Sequence, residues 1–364
     1  MSTNSTNTSS TSSTSNPVPV PAGDIAWVMA STALVFLMIP GVGYFYSGMA
    51  RSKNALSLIM LSVLSAAILN LTFGTSTTKY IGSGENAFFM GVDMTPVSSL
   101  ITIPKIAYAM FQCMFAAITP ALALGSAAER GRILPKIVFI FVWTTLVYDF
   151  IACWSWNQNG WLAVLGALDF AGGTPVHISS GSAALAYAII LGKRHGHAAN
   201  ARAAMACAVT NLSAAVGGLT WHIFDFDDAL DVFAVHGVGG LIGNILTGIF
   251  AQKSIAALDG TVIAGGWIDG NFIQLGYQLA DSACGITYSF VMTYIILFVM
   301  DKIPGLSLRA DAEAEAIGID ESELGELAYY HIDKIISVNK LTGETKTVKE
   351  ETVLQNNDVN VSIV

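Results

Sequence analysis

What most limits the folds open to this chain is a succession of apolar stretches, each long enough to cross a bilayer. A helix needs about 20 largely apolar residues to span ~30 Å of hydrocarbon. Such stretches run over Ile25–Ser47, Ala55–Phe73, Ser98–Leu124, Leu134–Cys153, Thr174–Leu191, Ala203–Trp221, Val232–Phe250 and Gly276–Met300. Ala55–Phe73 lies at the short end. Ile255–Trp267 is apolar but short and Gly-rich, and reads as a loop or re-entrant piece. Composition agrees: 53% of residues are hydrophobic and 12% charged, where a soluble domain carries about a quarter charged. Because lipid offers no hydrogen bonds to a backbone, the expected fold is all-α, a polytopic transmembrane helix bundle of about 8 spans.

Charge divides the chain into three parts. Residues 1–24 begin with an uncharged Ser/Thr/Asn run that cannot bury enough surface to fold alone, so a disordered N-terminus is expected. With no charged n-region, it does not read as a cleavable signal peptide. Residues 25–300 form the membrane domain. Residues 301–364 hold 6 of the 17 Lys+Arg and 13 of the 26 Asp+Glu, an acidic tail that reads as a solvated segment of cytoplasmic type. Arg51 and Lys53, then Arg130, Arg132 and Lys136, then Lys193 and Arg194 occupy alternate loops, whereas Trp154 to Gly173 contains no Lys or Arg. By the positive-inside rule the N-terminus is extracellular, with Trp154, Trp156 and Trp161 at the outer interface.

Few residues inside the spans can do chemistry. His177 stands near the outer end of its span and His236 in "DVFAVHGVGG". A lone intramembrane histidine is often a hydrogen-bonded packing residue. Two of them, each among Gly, Ala and Ser, point to a pathway, because ionisable groups in membranes usually face one. Their nearest upstream carboxylates, Asp169 and Asp231, lie eight and five residues before them. Neither HxxxH nor ExxH spacing occurs, and zinc would want three or four ligands, so no metal is expected. GxSxG and HExxH are absent as well, leaving an enzyme unsupported. Cys113, Cys153, Cys207 and Cys284 lie in apolar stretches and read as buried thiols. Phe111 and Phe115 stand four apart on one helix face. Such a pair commonly packs helices, but beside an outer tryptophan it can also attract a cation through its ring faces.

Five segments together carry a resemblance: "GYFYSGMARSKNALS", "DFAGGTPVHISSG", "AANARAAMACAVTNLSAAVGGLTW", "DDALDVFAVHGVGGLIGNILTGIFA" and "PGLSLRADAEAEAIGIDESELGELAYYHI". The chain resembles the ammonium transporter family (Amt/Mep/Rh), in its fungal methylammonium permease branch, over most of Ile25 to His331. The resemblance implies a plasma-membrane, multi-pass transporter of ammonium or methylammonium, without cofactor, metal or nucleic-acid partner. It implies a trimer in the lipid bilayer, of this chain alone or with full-length relatives. It also implies that Trp156 and Phe115 form the outer recruitment site and that Asp169 supports it. Phe111 and Phe115 would line the pore gate, and His177 and His236 would be the paired pore histidines.

Against the family pattern three places are short. The second span passes from "LSAAIL" straight to "NLTFG", "GKRHGH" runs directly into "AANARAAMAC", and "HIFDF" leads directly to "DDALDVF". Eight spans stand where the family has eleven, and the second gate Phe and a recruitment Ser have no counterpart. Loss of one helix after the fifth span inverts all that follows and is expected to part His236 from His177 unless it is bypassed. A non-transporting relative, acting as nitrogen sensor or modifying subunit, is the alternative implied. The orientation is testable at the sequons Asn4-Ser-Thr and Asn7-Thr-Ser: we expect glycan on Asn4 or Asn7, detected as an endoglycosidase-sensitive mass shift, and a protease-protected N-terminus in intact cells would contradict it.

Overall fold

A computed structural model describes residues 22–67, 78–82, 86, 89–97, 102–195 and 226–328. Among these the chain is helical and forms no strand. Six helical segments are long and apolar enough to cross a membrane: Ala22–Met49, Lys105–Ala127, Ile133–Leu165, Gly173–Leu191, Phe233–Phe250 and Ile273–Lys302. Of the expected second span, Ala55–Ala67 is helical, and the remainder lies outside the described residues. So do the expected span Ala203–Trp221, Cys207 and the N-terminal run with both sequons. The fourth span extends beyond Cys153, because the helix continues to Trp156 and resumes over Trp161–Leu165. Part of the expected outer loop is therefore helical. Ile255–Trp267 does not span, consistent with its Gly-rich reading.

The first helix packs against Ala55–Ala67 and Lys105–Ala123 and turns Trp27, Leu37 and Tyr44 outward. The core centres on Phe139, Trp143, Tyr148 and Tyr187, all fully buried. The last long helix, Ile273–Lys302, carries a buried polar stripe: Gln274, Gln278, Asp281, Ser282, Ser289 and Thr293. Their three-, four- and seven-residue spacings put them on one face. Each finds a partner, as a polar group away from water must. Thr293 accepts the Trp143 indole N–H at 2.8 Å, and Ser289 donates to the Ser179 carbonyl at 2.6 Å. Gln274 and Gln278 donate to the carbonyls of Gly166 and Leu168, both at 2.8 Å.

One end of the bundle is ionic. Glu129 accepts from the Arg51 backbone N–H at 2.7 Å and side chain at 2.8 Å, and pairs with Arg194 at 3.1 Å. Arg194 also forks onto Asp227, 2.9 Å between Nη2 and Oδ1. Burial pushes the Asp227 carboxyl up, but the Arg194 guanidinium outweighs it and holds the group below its usual range. The tail docks at this end instead of standing wholly in solvent. Leu308, Ala310 and Ile319 are buried, Glu323 accepts from the Arg132 side chain at 2.8 Å, and Asp320 accepts the backbone N–H groups of Leu56 and Ser57. Asp320 thereby caps the start of the Ala55–Ala67 helix, where free N–H groups favour negative charge.

The helices bearing His177 and His236 cross at glycines. A Cβ on Gly181 would run into the backbone N and Cα of Gly237, and one on Gly240 would sit 2.7 Å from the Gly173 carbonyl oxygen and 3.0 Å from the His177 Cβ. Gly181→Ala is expected to lower stability by roughly 1–3 kcal/mol through overpacking. Gly243, on the same helix as Gly240 with nothing within 4 Å of an added Cβ, should tolerate alanine. Melting temperatures of the two purified variants check this; an equal response would show that the crossing is not close-packed.

Candidate functional site

Both histidines sit in π-helical turns, Gly173–Ile178 and Phe233–Val238, which open the regular ladder. Such turns are rare and concentrate at functional sites. Here each widens its helix where the imidazole must leave it. The His236 turn packs on Ser179–Leu191, and the helix following it packs on the His177 turn, so the two segments run in opposite directions.

The two rings meet. Nδ1 of His177 and Nδ1 of His236 are 3.0 Å apart, and the ring planes differ by 8°. The expected separation of these residues is therefore corrected. Its physical reason is visible at the ionic end: Arg194, just past the His177 helix, is bound to Asp227, just before the His236 helix. The chain thus starts back from the end at which it arrived.

The contact fixes the chemistry of the pair. A neutral imidazole has one N–H and one bare nitrogen. With the Nδ1 atoms facing, one ring donates and the other accepts. The donor ring is left with a bare Nε2, and its partner with an Nε2–H. The pair therefore offers one acceptor and one donor, and a proton taken at one Nε2 can leave from the other after the shared proton shifts. Both rings cannot be cationic, since two N–H groups would then oppose each other. The rings, with Ser155, Asp169 and Asn244, line a cavity of about 1020 Å³.

The aromatic residues form a chain beside it. The rings of Phe111 and Phe115 are 5.0 Å apart and those of Phe115 and Trp156 6.0 Å, both edge-on. Trp156 Nε1 donates to Asp169 at 3.2 Å. Asp169 also accepts the backbone N–H groups of Gly172 at 2.7 Å and Thr174 at 2.8 Å, capping the turn that carries His177. Gly172 has φ +82°, a left-handed conformation that glycine adopts without strain. Burial pushes the Asp169 carboxyl up despite these three donors. All six residues expected from the sequence thus lie in two linked groups, aromatic and imidazole, joined by Asp169.

A further polar network, centred on Asp281 and Asn244, escapes sequence reasoning. Asp281 accepts from the Thr174 hydroxyl, from Ser155 at 3.3 Å and from Asn244 at 3.1 Å, while Asn244 also donates to Thr174 at 2.8 Å and Ser282 at 2.9 Å. The usable signal is a single carboxylate within an otherwise uncharged span. Among the described residues no three His, Cys, Asp or Glu side chains converge as a metal would need.

Fold and site together define a multi-pass membrane protein built round a polar, histidine-lined cavity. The Ammonium Transporter Family profile matches residues 26–204 and 222–329. Ammonium transporter 1 of Schizosaccharomyces pombe is 44% identical, covering 85% of this chain and 83% of its own. Ammonium transporter MEP2 of Saccharomyces cerevisiae is 35% identical over 84% and 83% respectively. The crystal structure of Candida albicans Mep2 superposes with a TM-score of 0.70 at 34% identity, covering 90% of this chain and 94% of that one. The chain belongs to the ammonium transporter family, a family of transporters and not of enzymes. The alignment with the S. pombe protein runs over 412 positions, more than the 364 residues of this chain, so the relative carries internal segments that this chain lacks.

At the foot of the His236 helix, burial, with the neighbouring Asp228 adding to it, pushes the Asp231 carboxyl up to about 7. A carboxyl raised this far above the ordinary aspartate value of 3.8 holds a proton in the folded state that the unfolded chain has released. It therefore costs stability increasingly as pH climbs through that interval. Asp231 has φ 55°, which asparagine also tolerates. Asp231→Asn is expected to raise the melting temperature more at pH 8 than at pH 5; an equal gain at both would contradict the shift.

Proposed function

We propose that the chain recruits ammonium at the Trp156–Phe115 aromatic site and passes it as ammonia, with a relayed proton, along His177 and His236. The observation that carries this reading is the 3.0 Å contact between the two imidazoles beside a lined cavity. A dry passage charges heavily for a bare cation. Aromatic faces offset part of that cost, at about 0.5–2 kcal/mol, and the negative Asp169, bonded to Trp156, adds attraction. Ammonium that surrenders its proton to the imidazole pair crosses as a neutral molecule. Ammonia can then donate to the bare Nε2 and accept from the opposite Nε2–H, while the shared Nδ1 proton shifts to move charge separately. Phe111 and Phe115 act as the outer closure.

In this reading the ionic end, with Arg51, Arg194 and the docked tail, is cytoplasmic, the N-terminus is extracellular, and the protein works as a trimer in the plasma membrane. A heterotrimer with longer relatives is compatible with it. A second reading, a non-transporting sensor or modifying subunit, is favoured by the size of the cavity at the histidines. The cavity they share with Phe250, Ile255 and Ile263, about 1020 Å³ and open on one side, is wider than a passage for single ammonia molecules, and the second gate Phe has no counterpart in the sequence.

Uptake of labelled methylammonium by yeast cells lacking their own ammonium transporters separates the two. We expect saturable uptake, a rise in apparent KM of roughly 2- to 30-fold in Trp156→Leu from the cation–π range, and altered uptake in His177→Ala and in His236→Ala. Absence of uptake by protein shown to reach the cell surface would support the sensor reading, and parent-like conduction by both alanine variants would remove the histidine relay.

A further inference from the structure

A second carboxylate stands behind the outer site. Asp281 has no exposed surface and lies in the long apolar helix Ile273–Lys302, where a charge is costly and needs a reason. Its contacts reach the segments that carry Trp156, His177 and His236. Thr174 belongs to the turn of His177, Asn244 to the helix of His236, and Ser155 is the neighbour of Trp156. Thr174 is shared: its backbone N–H serves Asp169 and its hydroxyl serves Asp281. Two carboxylates, Asp281 buried and Asp169 half-buried, therefore converge on one residue at the start of the His177 turn.

The donors are all neutral. Among the described residues, no lysine, arginine or histidine touches Asp281, in contrast to Asp227, which is bound by Arg194. A structural cross-link alone would not require a carboxylate here, since an amide could bond the same hydroxyls, which can rotate to accept as well as donate. Three neutral donors support an anion without cancelling its charge. That uncancelled charge, in surroundings of low dielectric, is felt at the aromatic site and attracts any monovalent cation there.

We infer that Asp281 is a positioning residue for the recruitment site: through Thr174 and Ser155 it holds the aromatic and histidine groups in register, and its negative charge supplies part of the attraction for the incoming cation. This rests on the recruitment reading given above. It assigns to the last long helix a direct part in substrate affinity, beyond packing.

The test is calorimetric titration of methylammonium into the purified full chain in lipid nanodiscs, with melting temperature measured alongside. A charge about 10 Å from a cation, at an effective dielectric of about 20, changes affinity on the order of tenfold. Asp281→Asn should therefore bind about tenfold more weakly, and Asp281→Glu, which restores the charge, should recover most of the loss. Parent-like affinity in the asparagine variant, or a glutamate variant as weak as the asparagine one, overturns the inference. Should the asparagine variant fail to fold, Thr174→Val removes the hydroxyl between Asp281 and the His177 turn. A several-fold loss then supports the inference, and unchanged affinity overturns it. A parent that binds no methylammonium overturns the recruitment reading itself and this inference with it, a result distinct from parent binding that the Asp281 variants leave unaltered.

Discussion

The contact on which the rest depends is the crossing of two helix backbones at Gly181 and Gly237. No side chain fits between them there, and that closeness lets His177 and His236 meet ring to ring. Helices in lipid gain little from hydrophobic burial against one another, so small residues that permit close approach supply the packing. With Gly173 and Gly240 extending the contact on one side, the crossing becomes a smooth seam with two imidazoles set along it. The π-turns complete the arrangement by turning each ring out of its own helix at the required height. A bulkier seam would hold the rings apart and leave two isolated bases in place of a shared-proton pair.

Charge is handled differently at the two ends. At the ionic end Glu129 and Asp227 are matched with Arg51 and Arg194, and the matched pairs bind segments far apart in sequence. Such pairs owe their value to geometry and mutual hydrogen bonding, since desolvation offsets much of their attraction. At the aromatic end Asp169 and Asp281 are held by N–H and O–H donors only. One end therefore closes the fold, while the other keeps negative charge available.

Much of this was legible in the sequence, because its signals are local. Length and apolarity located the six long helices found among the described residues, and the scarcity of ionisable groups singled out His177 and His236. The spacing of Phe111 and Phe115 put them on one face. What stayed hidden depends on contacts between distant segments. Nothing around Arg194 announces that it will bind Asp227, and that pairing returns the chain to its starting end and overturns the expected parting of the histidines. Asp281 reads as one stray carboxylate until Thr174, Asn244 and Ser155 arrive from three other helices. The tail reads as solvated from its charge, because alternating Glu and Asp look alike whether they face water or cap a helix, as Asp320 does for Leu56 and Ser57.

The 3.0 Å contact requires the two imidazoles to share one proton across Nδ1. Nitrogen-15 NMR of histidine-labelled protein in lipid reads this directly through the scalar coupling that an N–H···N hydrogen bond transmits. A coupled pair of Nδ1 resonances is expected, one protonated and one bare or the two in exchange, assigned by their loss in either single-histidine variant. Two uncoupled Nδ1 signals, each unaffected by removal of the other ring, would contradict it.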